Sequence, residues 1–114
     1  LAHYAMILAN NGVNPLTGER LIESWIVRIV KTFMLTCGMY DGSGEFAIRV
    51  GIPSKSGVGG GILSTVEKNM GIAVYGPSLD HRGNSVGGMK LLEFLSRQMN
   101  LHYFAGCGHE NVIN

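Results

Sequence analysis

Lys55 lies between two serines in a segment that is otherwise rich in glycine, VGIPSKSGVGGGI. A lysine in such a place can supply positive charge to a reacting group or to a negatively charged part of a substrate. Glycine weakens a strand, so several glycines among strand-forming residues indicate that a ligand or another backbone comes close. The segment therefore predicts a place where a substrate approaches the main chain.

Two phosphate-binding patterns do not fit this segment. The GxxxxGK[ST] loop requires glycine just before its lysine and at its first position, and these places hold Ser54 and Arg49. A dinucleotide fingerprint that begins at Gly57 would need its third glycine where the sequence has Ile62. Nucleotide binding is therefore not predicted.

The histidines and cysteines do not form a metal-binding pattern, because only Cys107 and His109 are close in sequence. We therefore predict no metal ion. The remaining residues of these types are His3, His81, His102 and Cys37. We expect the histidines to be surface or packing residues, and Cys37 to be a small buried hydrophobic residue.

The composition predicts one globular unit over residues 1–114. Hydrophobic residues make up 46% and charged residues 15%, with a net charge of +1. A core can form, whereas the basic face of a nucleic-acid-binding protein is missing. No apolar run reaches the roughly 18 residues that a membrane helix needs. The two cysteines fit no redox spacing, which favours a reduced, cytoplasmic location.

Residues 1–38 are predicted to be mainly helical. Leu1, Ala5 and Leu8 have helical spacing. A second helix is predicted to begin with Ser24 as its N-cap and to end at Gly38. Its apolar stripe, which we expect to pack in the core, consists of Trp25, Ile26, Ile29, Val30, Phe33 and Met34.

Residues 45–77 are predicted to form antiparallel strands joined by short connections. The predicted strands are EFAIRVGI, GGGILSTVE and GIAVYGP. Residues 84–103 predict a terminal helix capped by Ser85, and residues 106–114 show no periodicity and predict a frayed tail. Together these elements predict an α+β fold with helices flanking a short antiparallel sheet.

The Lys-Ser-Gly tripeptide at 55–57 matches the Lys-[Ser/Thr]-Gly element of penicillin-recognising serine enzymes. A more specific resemblance comes from CGMYDGSGEFAIRVGIPSKSGVGGGI, YGPSLDHRGNSVGG and LANNGVNPLTGERL. Together these strings resemble the serine-dependent glutaminases, which have a β-lactamase-like fold and hydrolyse L-glutamine to L-glutamate and ammonia. The resemblance runs from Leu1 to Phe104, and the tail after Phe104 departs from it.

The resemblance implies that the chain is the C-terminal portion of such an enzyme. In that family the nucleophile is the serine of a Ser-x-x-Lys motif, which this sequence lacks. The chain also begins without Met and already in a helical pattern. We therefore expect the nucleophile upstream of Leu1, and we expect the isolated fragment to be inactive. Two alternatives remain: a fragment of a penicillin-recognising hydrolase, and a non-catalytic binding or assembly module.

Three site residues carry over from the resemblance. Tyr40 matches a tyrosine that lies beside the nucleophile, contacts the substrate and is thought to carry protons. Val58 matches the residue whose backbone N–H binds the substrate carbonyl oxygen. Lys55 either has an electrostatic role in the site or is a strand-edge lysine that pairs with a carboxylate. The partners implied are L-glutamine and further copies of the full-length enzyme in a homo-oligomer, with no nucleic acid, membrane or cofactor.

Overall fold

A computed structural model of the protein describes residues 1–107. The sheet has three antiparallel strands in the order β1-β2-β3. The named elements are α1 (Ala2–Ala9), α2 (Ser24–Cys37), α3 (Ser43–Arg49), β1 (Ser54–Ser56), β2 (Gly61–Val66), β3 (Met70–Tyr75) and α4 (Val86–Met99). Short 3-10 helices cover Tyr40–Gly42 and Ala105–Cys107. The prediction of an α+β fold with helices flanking a short antiparallel sheet is confirmed.

The two faces of the sheet pack against different helices. Ile62 of β2 joins a core cluster with Leu92 of α4, whereas the next residue, Leu63, packs beside the α1 and α2 cluster. This alternation follows from the strand period of two residues. Gly71 of β3 lets α1 approach, because a Cβ atom there would lie 2.1 Å from the backbone nitrogen of Met6.

The terminal helix α4 begins as the sequence predicts. Ser85 is its N-cap, and the Ser85 hydroxyl accepts a hydrogen bond of 3.0 Å from the backbone N–H of Gly88. A Cβ atom on Gly88 would lie 3.0 Å from Ile62 Cδ1, so a larger residue would push the helix away from the sheet. The Ser85 cap is confirmed, and Gly88 fits a close contact between helix and sheet.

The first predicted strand is wrong. EFAIRVGI falls mostly in helix α3, and the strand that precedes β2 is the three-residue β1. Phe46 and Val50 are buried while Ile48 is exposed, so the buried side has the i, i+4 spacing of a helix. Short apolar runs fit both periods, and contacts with the rest of the fold decide between them. Gly51, with φ of +65°, follows this helix.

The prediction that the apolar stripe of α2 packs in the core is wrong for most of its members. Trp25 is 65% exposed and Phe33 is 62% exposed, whereas Val27 and Met34 face inward. The side of α2 that packs in this chain is therefore narrower than its apolar side. The other exposed members of the stripe are Ile26, Ile29 and Val30.

Three smaller predictions also have outcomes. Glu23, not Ser24, is the N-cap of α2, and the Ser24 hydroxyl accepts a hydrogen bond from the Asn11 side chain. Cys37 is exposed rather than buried, since it lies on the outer side of α2. The predicted tail lies largely outside the described residues. No helix within residues 1–107 has the length and apolar character to span a membrane.

Gly60 holds the turn between β1 and β2 in a conformation that other residues disfavour. Its φ is +100°, and a Cβ atom there would lie 2.6 Å from the backbone oxygen of Gly76. We expect Gly60→Ala to lower the free energy of unfolding of the full-length gene product by about 1–3 kcal/mol, from backbone strain alone.

Gly59→Ala is the matched control for Gly60→Ala. A Cβ atom at Gly59 has no neighbour within 4 Å. Urea denaturation should therefore separate two variants that differ by one position. Equal midpoints for the two proteins would contradict this account of the turn.

Candidate functional site

The site is built where the end of α2 meets strand β1. A Cβ atom on Gly38 would lie 1.8 Å from the backbone oxygen of Ser54, so only glycine permits this approach. The backbone N–H of Ser56 donates a hydrogen bond of 3.0 Å to the Gly38 carbonyl. The residues just after Gly38 are thereby held beside the Lys-Ser-Gly segment.

Tyr40 follows this contact and has a left-handed backbone, with φ of 52°. Tyrosine rarely adopts this conformation, and such residues concentrate at functional sites. The Ser43 hydroxyl donates to the Tyr40 carbonyl at 2.8 Å and accepts from the Met39 N–H at 2.9 Å. The side chain of Tyr40 remains 42% exposed.

The structure brings the three predicted site residues together. The Nζ atom of Lys55 lies 4.6 Å from the centroid of the Tyr40 ring, over its face. Gly83 adjoins both Tyr40 and Val58, because a Cβ atom on it would lie 3.7 Å from Tyr40 Cε2 and 3.5 Å from Val58 Cγ1. Tyr40, Lys55 and Val58 therefore border one surface region, with a glycine between two of them.

The backbone N–H of Val58 lies in the turn that joins β1 to β2. In the surrounding turn, the Gly57 N–H donates to the Gly61 carbonyl at 3.1 Å and the Gly60 N–H donates to the Gly57 carbonyl at 2.9 Å. Within residues 1–107 the Val58 N–H makes no hydrogen bond of its own. The Val58 side chain is 70% exposed, so its neighbourhood is open.

Lys55 does not pair with a carboxylate in the part of the chain that the structure describes. Its ammonium donates a hydrogen bond to the Ser56 carbonyl and stacks on Tyr40. A cation over an aromatic face is stabilised by the electron density of the ring. Pairing with a carboxylate, one of the two alternatives for Lys55, is therefore not seen among residues 1–107.

A cleft of about 240 Å³ lies near Gly42 and is lined by charged residues, but Tyr40, Lys55 and Val58 do not line it. Four of its charged residues, Glu45, Arg49, Arg82 and Glu93, take part in ion pairs. Hydrogen bonding to Arg49 is the main cause that lowers the pKa of Glu45. The pKa of the Asp80 carboxyl is lowered chiefly by the backbone N–H of Asn84, which donates to it.

No group of three or more potential metal ligands occurs among the residues that the structure describes. His102 has a packing role instead. The backbone N–H of Phe104 donates to His102 Nδ1 at 3.0 Å, which leaves Nε2 to donate to the Ile48 carbonyl at 3.0 Å. Among the described residues, the groups that border the site around Tyr40 are thus a phenol, an ammonium and a main-chain amide, with neither a metal cluster nor His102 beside them.

A sequence model of the glutaminase family matches residues 1–104. The chain belongs to the glutaminase family. Curated glutaminases from Clostridium tetani and Clostridioides difficile are each 61% identical over 104 residues, which is 91% of this chain and 34% of each relative. The chain thus spans about a third of the length of these relatives.

Solved glutaminase structures share the fold. One is the crystal structure of the covalent complex between Bacillus subtilis glutaminase YbgJ and 5-oxo-L-norleucine, formed by reaction with 6-diazo-5-oxo-L-norleucine. It has a TM-score of 0.88 and 40% sequence identity, and covers 90% of this chain and 38% of that chain. This glutaminase-family chain is therefore part of a β-lactamase-like fold, as the sequence predicts.

Sequence reasoning missed the side chains that hold the site together. Ser43 and Asn84 were not singled out, although both fix the backbone around Tyr40. A signal was available in the string DHRGN, where an aspartate can accept hydrogen bonds from the backbone that follows it. The Asp80 carboxylate does accept from the N–H groups of Arg82 and Asn84.

Proposed function

We propose that the protein containing this chain hydrolyses L-glutamine to L-glutamate and ammonia through a serine acyl-enzyme. This chain supplies part of the active site, and the serine lies outside it. The observation that carries the proposal is the convergence of Tyr40, Lys55 and the Val58 N–H, which has no hydrogen-bond partner within residues 1–107. A proton carrier and a donor for the oxyanion both accelerate acyl transfer, and a nearby positive charge stabilises the negative charge that develops.

Each group has a role in the reaction. The serine oxygen attacks the side-chain amide carbon of glutamine, and the Val58 N–H binds the oxygen that becomes negative. Loss of one such donor typically costs about 3 kcal/mol of transition-state stabilisation. The Tyr40 hydroxyl carries the serine proton to the amide nitrogen, so that the C–N bond breaks and ammonia leaves.

Water then completes the cycle. It attacks the ester carbon, loses a proton through the same carrier to the serine oxygen, and releases glutamate. Lys55 holds positive charge beside the reacting groups through its contact with the Tyr40 ring. The reaction described in this way uses only protein groups and water.

The Bacillus subtilis relative supports the choice of substrate. Its covalent ligand, 5-oxo-L-norleucine, has a ketone at the carbon that carries the side-chain amide in glutamine. The match to that structure covers 90% of this chain at 40% sequence identity. A glutamine-shaped substrate is therefore the proposal for this protein also.

The wider organisation is proposed on the same basis. We take residues 1–114 to be one unit at the C-terminal end of the enzyme, with Lys55 in an electrostatic role. We also propose a cytoplasmic homo-oligomer without a cofactor. Because the sequence lacks Ser-x-x-Lys, residues 1–114 alone should not hydrolyse glutamine.

The proposal predicts the outcome of an ammonia-release assay on the full-length gene product. We expect release from L-glutamine, little or none from L-asparagine, and no hydrolysis of a penicillin. Residues 1–114 expressed alone serve as the control and should be inactive. No ammonia from glutamine would refute the enzyme and favour a binding module, and penicillin hydrolysis would favour the other serine hydrolases.

A further inference from the structure

Asn84 joins the two backbone segments that form the site. It is only 1% exposed. Its Nδ2 group donates a hydrogen bond of 2.8 Å to the Met39 carbonyl, which precedes Tyr40. Its Oδ1 atom accepts a hydrogen bond from the hydroxyl of Ser56, two residues before Val58. One buried amide thus uses both of its ends on segments far apart in sequence.

The Tyr40 segment needs such support. A tyrosine with φ of 52° is strained and persists only where its surroundings fix the backbone. The Met39 carbonyl is held by Asn84 and by the N–H of Gly42, and the Tyr40 carbonyl is held by Ser43. Asn84 supplies the only one of these contacts that comes from a distant part of the described chain.

The Val58 segment is fixed by the same side chain. The hydroxyl of Ser56 donates to Asn84, while the Ser56 N–H donates to the Gly38 carbonyl. A movement of Ser56 in the direction of the strand would therefore break its hydrogen bond to Asn84 or its hydrogen bond to Gly38 at the end of α2. The distance between the Tyr40 turn and the Val58 amide depends on both bonds.

Asn84 itself is held in a rigid turn. Its backbone N–H donates to the Asp80 carboxylate at 3.0 Å, and its carbonyl accepts from the Asp80 N–H at 2.8 Å. The same turn presents Gly83 against Tyr40 and Val58. The turn therefore places the buried Asn84 side chain between the two segments, and its Gly83 leaves the surface beside Tyr40 and Val58 open.

We propose that Asn84 is a positioning residue, which holds the Tyr40 hydroxyl and the Val58 amide at the separation that acyl transfer requires. This inference rests on the proposed glutaminase activity and adds a residue that does not touch the substrate. Small misplacements of reacting groups can cost about 100-fold in rate. Asn84 thus acts on turnover through Tyr40 and Val58.

The test is a double-mutant cycle in the full-length gene product with L-glutamine. We expect Asn84→Ala to lower kcat by about 10- to 100-fold with KM changed less than about 3-fold. In a Tyr40→Phe background the same change should lower kcat by a clearly smaller factor, because one of the two groups being positioned is already gone. A merely structural loss would reduce kcat by the same factor in both backgrounds.

Ser96→Ala is the matched control. The buried Ser96 hydroxyl donates to the Val50 carbonyl at 2.6 Å, so its loss removes a comparable bond outside the site. It should lower the unfolding midpoint while leaving kcat per folded molecule unchanged. Asn84→Asp is a second variant for the same test. It keeps the size of the side chain and the oxygen that accepts from Ser56, but it loses the N–H group that donates to Met39.

The possible outcomes distinguish failure of the Asn84 proposal from failure of the proposed glutaminase activity. An inactive parent overturns both the glutaminase activity and the role of Asn84. An active parent in which the two substitutions multiply, or in which Asn84→Ala retains full kcat, overturns the role of Asn84 alone. Failure of both Asn84 variants to fold also overturns it, because the residue is then needed for the fold and not for positioning.

Discussion

Tyr40→Phe in the full-length gene product should lower kcat for glutamine hydrolysis by about 10²- to 10⁴-fold, the usual contribution of a positioned proton carrier. The substitution removes one oxygen from a side chain that is 42% exposed. The phenyl ring keeps its place under Lys55, whose Nζ lies 4.6 Å from the ring centroid. The chemistry should therefore be lost while the packing remains.

Stability measurements distinguish loss of the proton carrier from loss of the fold. The Tyr40 hydroxyl makes no hydrogen bond within residues 1–107, so the urea midpoint should stay at the parent value. Tyr103→Phe is the control, because Tyr103 is 61% exposed and lies against Phe104. It should retain parent turnover. Near-parent kcat in Tyr40→Phe would eliminate the proton-carrier role.

The parts of the fold that the sequence predicts well are those with strong local signals. Helix α4 has a serine cap and a long apolar period, and both appear in the structure. The hairpin of β2 and β3 has alternating residues and a short turn. In each case the local preference and the tertiary packing agree, so the pattern alone is sufficient.

The wrong prediction of a strand over residues 45–52 shows what a local sequence pattern cannot decide. Phe46, Ile48 and Val50 alternate, but Phe46 and Val50 also have helical spacing and are the pair that is buried. Glu45 and Arg49 form an ion pair at the same i, i+4 spacing. Only contacts with distant segments, such as that between the core cluster and Leu92, decide between the two periods.

The prediction of which face of α2 is buried is wrong for a different reason. Its apolar period is correct and the helix forms, but the described chain covers only the side with Val27 and Met34. Which side of an amphipathic helix is buried depends on what packs against it, and a period cannot show that. The chain spans 34% of the length of its curated relatives.

The sequence led to the three proposed reacting groups but not to the side chains that support them. Tyr40, Lys55 and Val58 carry over from family strings, because such strings record chemistry. Asn84 and Ser43 act through hydrogen bonds to backbone atoms of Met39 and Tyr40. Those contacts join segments distant in sequence or depend on the left-handed φ of Tyr40. The sequence offers no local period for either.

Gly38→Ala should have the largest effect on the architecture of the site. The φ of Gly38 is −74°, so the residue is not needed for an unusual backbone angle. It is needed for space, since a Cβ atom would lie 1.8 Å from the Ser54 oxygen and 2.4 Å from the Met34 oxygen. Both neighbours are backbone atoms, which cannot turn aside as a side chain can.

We expect the end of α2 to move away from β1, breaking the 3.0 Å bond from the Ser56 N–H to the Gly38 carbonyl. Overpacking of this kind costs about 1–3 kcal/mol of the free energy of unfolding. Turnover should fall as well, because the movement carries Tyr40 away from Val58. Urea denaturation and kcat measured on the same full-length preparation check both effects.

Gly44→Ala is the matched control for this substitution. Gly44 lies in α3, and a Cβ atom there has no neighbour within 4 Å. Alanine favours a helix over glycine by about 1 kcal/mol, so this variant should be as stable as the parent or more stable, with unchanged kcat. Parent-like stability and turnover in Gly38→Ala would mean that the contact between α2 and β1 does not set the position of Tyr40.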